Sequence, residues 1–344
     1  MNPENNTERS TAKLGIYDHI DEHIAALKGW DLEITQLESG KYECAELYVS
    51  AGDYRYVFMR HNCRVLNRAS NPEPGFQFCF QLTDHCPPHH LDYWTEQPAI
   101  YCVPAGQEVQ AIMPGGFEGA SLFISSERYH RFLEWYCDGP LLCPPRYGST
   151  IYHPDGNQHY HLCRMLLQIR TRLKERVIGA DTFDRPLEEW LLNITEHHLV
   201  PQLLQVMSNG SEGTVRRRPQ RFQTALKVIF DNLDSPPNIN ELAQMLDTSP
   251  RNLQYLFKQH LGTSPKQFIK LYRLNIARHQ LWHSHYGRGI VTDIANQLGY
   301  WHMGGFARDF KHLFHTNPRD MLLADSLRLP KAPDTTLDLS APEE

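Results

Sequence analysis

INELAQMLDTSPRNLQYLFKQHLGTSP, residues 239–265, is answered further on by VTDIANQLGYWHMGGFARDFKHLFHTNP, residues 291–318. Aligned, Ile239 meets Val291, Leu242 meets Ile294, Ala243 meets Ala295 and Leu246 meets Leu298. After one inserted residue, Leu253 meets Phe306, Phe257 meets Phe310 and Pro265 meets Pro318. Apolar residues recur at i, i+3, i+4 and i+7, the spacing of one helix face. Asp247-Thr248-Ser249 in the first copy and Gly299 in the second break each run into two short helices. This is the outline of a helix-turn-helix, a motif that lays its second helix in the major groove of DNA. The chain carries two of them.

Charge follows the same boundary. Residues 216–322 hold 15 Lys and Arg against 7 Asp and Glu, a net of +8, while the remainder holds 19 against 33, a net of −14. A basic module joined to an acidic one fits a DNA-binding segment attached to a sensory or dimerising segment. At 344 residues the chain has room for two or three domains. No run of about 18 apolar residues occurs, so no membrane partner is expected. The polar N-terminus lacks the features of a signal peptide. Eight cysteines, none in a C-x-x-C pair, fit reduced thiols in a cytoplasmic protein rather than a disulfide framework.

Outward from the repeat, the expected architecture is α+β. Residues 1–14 and 323–344 read as disordered, and 208–218 as a linker of Ser, Asn and Gly opening onto Arg216-Arg217-Arg218. Residues 15–207 read as an effector-binding or dimerisation domain. It begins with a helix over 18–30 and continues with short alternating strands around 44–50, 54–59, 76–82 and 100–103. These predict an antiparallel β half-barrel or jelly-roll-like domain with flanking helices. Helices are expected from Ser126 to Tyr136, His159 to Val177 and Leu187 to Met207, the last two serving either as core packing or as a dimer contact. Residues 219–322 form the all-α paired helix-turn-helix domain. Asn238 with Glu241 has capping-box spacing, and Ser249-Pro250 and Ser264-Pro265 each read as an N-cap followed by Pro at N1. The helix from Pro265 to about Leu281 spans roughly 25 Å, near the ~34 Å between successive major-groove faces.

With Leu242-Ala243, Leu253, Phe257, Gly262, Ser264-Pro265, Ile294-Ala295, Leu298-Gly299-Tyr300, Phe306, Phe310-Lys311 and Pro318 in hand, the chain resembles the AraC/XylS-type transcriptional regulators. The resemblance covers about 220–322. It departs at His315, where the family's second copy usually has Gly, and at Gly304-Gly305, which fall in a recognition helix and cost about 1 kcal/mol each if interior. The resemblance implies an activator of transcription working on double-stranded promoter DNA. RNA polymerase, a small-molecule effector and a second copy of the chain are its implied partners. A narrower resemblance, carried by Tyr17-Asp18-His19, Trp30, Pro114-Gly115-Gly116 and Gly299-Tyr300-Trp301-His302-Met303-Gly304, is to the ethanolamine-utilisation operon regulators of that family. It implies ethanolamine with adenosylcobalamin as effectors and transfers no pocket residue.

The base-reading surface follows from helical geometry. With Leu253, Leu256 and Phe257 inward, Arg251, Tyr255 and Lys258 face outward and Gln254 lies at the edge. Arg donates bidentately to guanine and Gln pairs with adenine, which selects Arg251 and Gln254 for base readout, with Asn252 on the flank reaching a base or a phosphate. With Phe306 and Phe310 inward, Gly304, Arg308 and Lys311 face outward, and His302 sits near the helix start. The family's base-contact positions fall on Gly304 and Arg308. Each of these residues also fits an ordinary solvated surface. His85-Cys86-Pro87-Pro88-His89-His90 with Glu96 offers metal-type ligands but lacks H-x-H spacing, so it reads as a polar loop and no metal site is expected. No G-x-S-x-G, P-loop or H-E-x-x-H motif occurs, so no enzyme activity is expected. The competing reading is an enzyme or DNA-repair protein that uses the double helix-turn-helix as a DNA anchor.

Overall fold

The structure, a computed structural model, describes residues 11–27, 31–82, 89–90, 93–94, 99–136, 150–178, 187–209, 216–217, 220–232, 237–285, 287, 289–324 and 336–338. In chain order the first elements are β1 (Thr11–Tyr17), α1 (Ile20–Ala26), β2 (Asp31–Gln36), β3 (Cys44–Ala51), β4 (Tyr54–His61), β5 (Val65–Ser70) and β6 (Gly75–Gln81). Then come β7 (His89–His90), β8 (Tyr93–Trp94), β9 (Ile100–Pro104), β10 (Val109–Met113), β11 (Glu118–Ser125), α2 (Ser126–Tyr136) and β12 (Thr150–Tyr152). Helices α3 (Gly156–Ile178) and α4 (Leu187–Ile194), a π-helical turn (Thr195–Leu199) and α5 (Val200–Asn209) complete the N-terminal half. After β13 (Arg216–Arg217), the C-terminal half runs through α6 (Gln220–Asp231), α7 (Ile239–Met245), α8 (Pro250–Leu261), α9 (Pro265–His283), α10 (Ile290–Gln297), α11 (Met303–Phe314) and α12 (Pro318–Ala324). A last short strand, β14, is Thr336–Asp338.

Strand alternation builds the N-terminal half in layers. The large sheet, ordered β12-β9-β6-β11-β4-β3-β1-β14, faces a small one ordered β2-β5-β10-β7, and the pairs are antiparallel. Successive side chains on a strand point to opposite faces. In β4, Tyr56 and Phe58 join the core made with α2, α3, α4 and α5, whereas Val57 and Met59 look toward the small sheet. The same alternation runs through Phe76 and Phe78 against Gln77 and Cys79, and through Ile100 and Cys102 against Tyr101 and Val103. The five described cysteines, 44, 63, 79, 102 and 163, form no disulfide.

Both ends depart from the expected disorder. Thr11 to Lys13 open β1, which pairs along its length with β3, and residues 336–338 pair with Thr11–Lys13 on the other edge. Main-chain hydrogen bonds order these polar stretches without a hydrophobic run to announce them. The helix expected over 18–30 is shorter, Ile20–Ala26. Helices α6 and α12 and the whole small sheet had no counterpart in the expected elements. The side chains of the His85–Glu96 group lie outside the described residues.

Candidate nucleic-acid interface

Each half of the repeat folds as two helices around a left-handed turn. The first unit is α7 and α8. The Asn238 side chain accepts from the N–H groups of Asn240 and Glu241, and Glu241 returns a bond to the Asn238 N–H. Ser249 Oγ accepts from Asn252 N–H at 3.1 Å and Ser264 Oγ from Gln267 N–H at 3.2 Å, with Pro at N1 each time. Phe222, Leu242, Leu253, Phe257 and Phe268 are buried in one core. The second unit, α10 and α11, buries Ile294, Leu298, Phe306 and Phe310 with Leu274 and Leu281 of α9. Helix α9 therefore gives one stretch of itself to each core and holds the two units together. Lys270 on α9 pairs with Asp309 on α11 at 2.8 Å.

The turns are not copies. At the bend between helices, Asp247 has φ 46° in the first unit and Gly299 has φ 76° in the second. At the recognition-helix C-cap, Gly262 has φ 67° and His315 has φ 56°. Each unit thus puts glycine at one left-handed position and a side chain at the other, at a cost of about 1–2 kcal/mol for the side chain.

Of the residues selected for DNA contact, Arg251, Gln254, Tyr255, Lys258, His302, Gly304, Arg308 and Lys311 are exposed. Two are engaged locally. Asn252, half-buried, donates from Nδ2 to Thr248 Oγ1 at 2.8 Å, and Lys258 Nζ donates to the Gly262 carbonyl at 3.2 Å. Gly304 and Gly305 lie in the first turn of α11 rather than its interior, and a Cβ at Gly304 would meet no atom within 4 Å. The sequence reading did not place Trp301 among the DNA-contacting residues. It is 81% exposed in the turn that leads into α11, beside His302. A large aromatic in a turn, outside the apolar periodicity, was the available signal.

The N-terminal half grips both recognition helices at their C-terminal ends. Arg64 Nη2 donates to the Leu261 carbonyl at the end of α8 at 3.0 Å. Ser39 Oγ donates to the His312 carbonyl, and the Gly40 N–H to the Leu313 carbonyl at 3.0 Å, at the end of α11. Between these points the edge of β2 meets α9. Asn275 Oδ1 accepts from the Gln36 N–H at 2.8 Å, Asn275 Nδ2 donates to the Gln36 carbonyl at 2.9 Å, and Tyr272 Oη donates to Glu33 at 3.0 Å. The N-terminal ends of α8 and α11, the ends that meet base edges in this motif, carry none of these bonds.

Between the two sheets lies a cavity of about 150 Å³. Leu32, Val57, Tyr101, Val109 and Phe117 give it apolar walls, and the amides of Asn67, Asn71, Gln77 and Gln81 line it as well. Asn67 Oδ1 and Gln77 Oε1 are buried acceptors without a hydrogen-bond donor. The small sheet is the wall between this cavity and the helical half. Asn67 and Ala69 of β5 and Ala111 of β10 line the cavity, while Leu66 and Ile112 enter the core of the first helix-turn-helix unit. Arg68 bonds Glu33 at 2.8 Å and lies 4.7 Å from the ring centre of Phe230 on α6.

Residues 242–323 match the family described as a helix-turn-helix domain, and this part of the chain is such a domain. The same region is similar to named regulators. The XylDLEGF operon transcriptional activator 3 of Pseudomonas putida is 32% identical over 125 residues, 36% of this chain and 38% of that protein. The HTH-type transcriptional activator RhaS of Salmonella arizonae is 35% identical over 80 residues, 23% of this chain and 28% of that one. The match therefore spans well under half the length of either of these two relatives. Among solved structures, a transcriptional regulator with an AraC-type DNA-binding domain from Chromobacterium violaceum aligns with 25% identity. That alignment covers 31% of this chain and 94% of the other at a TM-score of 0.29. No helix among the described residues is long and apolar enough to cross a membrane.

Proposed function

We propose that the protein is a transcriptional regulator of the AraC/XylS type, an activator that binds promoter DNA through α8 and α11 and answers to a small molecule held between its β-sheets. The paired helix-turn-helix on one basic scaffold carries this reading, and the activator names of its relatives support its sign. On this reading it acts in the cytoplasm beside RNA polymerase. Arg251 and Gln254 read one half of the site and Arg308 the other, with Lys311, His302, Tyr255 and Trp301 contacting backbone or base edges. Asn252 and Lys258 mainly fix the ends of their own helix. Arg308→Ala is expected to relax base preference in its half of the site and to cost about 1–3 kcal/mol. A binding-site selection with the full chain checks this, and an unchanged preference at every base removes Arg308 from the reading surface.

The cavity bears on the effector. A space of about 150 Å³ is the size that holds one benzene ring. Its buried amide oxygens call for a hydrogen-bond donor. No carboxylate among the described residues lines it, and burying an unpaired ammonium there would cost several kcal/mol. A neutral single-ring compound with an N–H or O–H group fits better than ethanolamine, and adenosylcobalamin is far larger than the space. Thermal unfolding of the full chain against both classes separates them. A ligand held only by the folded state raises stability by about 2.7 kcal/mol at a hundredfold excess over Kd. A rise with ethanolamine alone would overturn the preference for a neutral ring.

Coupling follows from the shared wall. A ligand that bonds Asn67 presses on β5, whose alternate residues Leu66 and Arg68, with Ile112 of the neighbouring β10, pack on the first DNA-binding unit.

A further inference from the structure

At the seam between α1 and the last turns of α9, three metal-ligating side chains converge. Asp21 is buried, at 2% side-chain exposure, and its Oδ1 lies 2.8 Å from His279 Nδ1. His283, one turn beyond His279 on α9, brings its ring centre to 4.4 Å from that of His279. One ligand atom from each of Asp21, His279 and His283 can be chosen so that all lie within 4.8 Å of one another. Arg278 sits on the far side, 3.4 Å from Asp21 Oδ2, and with His279 it holds the carboxyl below its usual range although burial opposes this.

We propose that Asp21, His279 and His283 form a binding site for a borderline divalent cation, Zn²⁺ being the best fit, which fastens the N-terminal half to α9. The ligand set argues the class. Two imidazoles and one carboxylate suit Zn²⁺, Co²⁺ or Ni²⁺ rather than Ca²⁺ or Mg²⁺, and no thiolate takes part to select Cu⁺. Histidines at i and i+4 share a helix face. A cation with bonds of about 2.0–2.2 Å holds its ligands a little over 3 Å apart, so the 2.8 Å contact opens slightly and the wider ones close. His279 is 58% exposed and turns freely enough to allow this. Arg278 faces Asp21 Oδ2 as an ion pair at 3.4 Å, without a hydrogen bond between those two atoms, and its charge keeps the carboxylate ionised. Three protein ligands leave a fourth coordination position for water.

The site's position gives it a consequence. Helix α1 and the residue that caps it also supply His23 and Leu27 to the cavity wall, and α9 ends shortly before the second helix-turn-helix unit begins. A bound cation ties these together independently of the hydrogen bonds at Gln36 and Asn275.

Chelator-stripped full-length protein titrated with Co²⁺, followed by visible absorption and then by Zn²⁺ competition, tests the site. Wild type is expected to take up one equivalent with an imidazole–carboxylate spectrum free of thiolate charge-transfer bands, and Zn²⁺ is expected to raise its unfolding midpoint. In the double variant His279→Ala/His283→Ala, both at exposed positions, affinity should fall at least tenfold and the Zn²⁺-induced rise should vanish, with circular dichroism unchanged. His283→Gln alone removes one of the three ligands and should give an affinity between those of wild type and the double variant. Equal affinity in the double variant, or a spectrum dominated by thiolate bands, would overturn the assignment.

Discussion

Replacing Asn275 by Leu tests the joint between the halves. Asn275 is 4% exposed and its amide makes three bonds, to the Gln36 N–H, the Gln36 carbonyl and the Leu271 carbonyl of its own helix. It completes the free edge of β2 as a neighbouring strand would. Leucine keeps nearly the same volume, so no cavity opens, but both Gln36 main-chain groups are stranded. A buried group left without its partner costs about 1–3 kcal/mol, so two cost about 2–6 kcal/mol if the halves stay docked. Water entering the seam would relieve that penalty, so the observed loss is limited to the free energy of undocking. Hydrogen exchange reads this directly. The Gln36 amide should lose protection by ten- to a hundredfold, while amides in the β3–β4 hairpin keep theirs. Urea unfolding of the same variant should show reduced stability. Unchanged protection at Gln36 would refute the reasoning, because it would mean that another contact holds the edge of β2 on α9.

Two further predictions rest on single residues. His315→Gly should stabilise the second unit by about 0.5–1 kcal/mol, since it relieves a left-handed side chain whose hydrogen bond to Ser39 is exposed. A lower unfolding midpoint would show that the Ser39 contact outweighs the strain. The N-terminal half should be most stable near pH 6.5. Burial and the charge of His23 push the His61 imidazole down to about 4 despite its bond to the Cys63 carbonyl, so its contribution is complete above 6.5 and is lost as pH falls toward 4, by roughly 3 kcal/mol. Burial disfavours charge on His23, but its bonds to Cys44 and Glu46 prevail and raise it to about 9, so its contribution is present below 6.5 and is lost as pH rises through 9. Urea unfolding against pH should show both limbs, and His61→Gln should flatten only the acid one. An acid slope unchanged in that variant would exclude His61 as its source.

The helical half was readable because its signals were local and mutually consistent. The spacing of Leu253 and Phe257, the caps at Asn238, Ser249 and Ser264, and the repeat itself all depend on neighbours in sequence, and each appears where the pattern placed it. The same geometry sorted inward from outward side chains on α8 and α11. It did not register that Asn252 and Lys258 are held by their own helix, because those bonds depend on rotamers rather than spacing. The small sheet escaped for a different reason. A strand with one wet face alternates apolar and polar residues, but β5 meets protein on both sides, and its sequence VLNRAS mixes Leu66, Asn67 and Arg68 without that alternation. Asp21 and His279 are 258 positions apart, and no pattern of short range could join them.

Along β5 and β10, two vocabularies are written on alternate letters of the same words. Asn67, Ala69 and Ala111 speak to the cavity, and Leu66, Arg68 and Ile112 to the helices. Substitution can therefore revise one message without touching the other, so the cavity lining is free to drift while the docking face stays fixed. Insertion or deletion has no such freedom. A single added residue in β5 would turn the cavity set toward the helices and the docking set toward the cavity, exchanging both meanings at once.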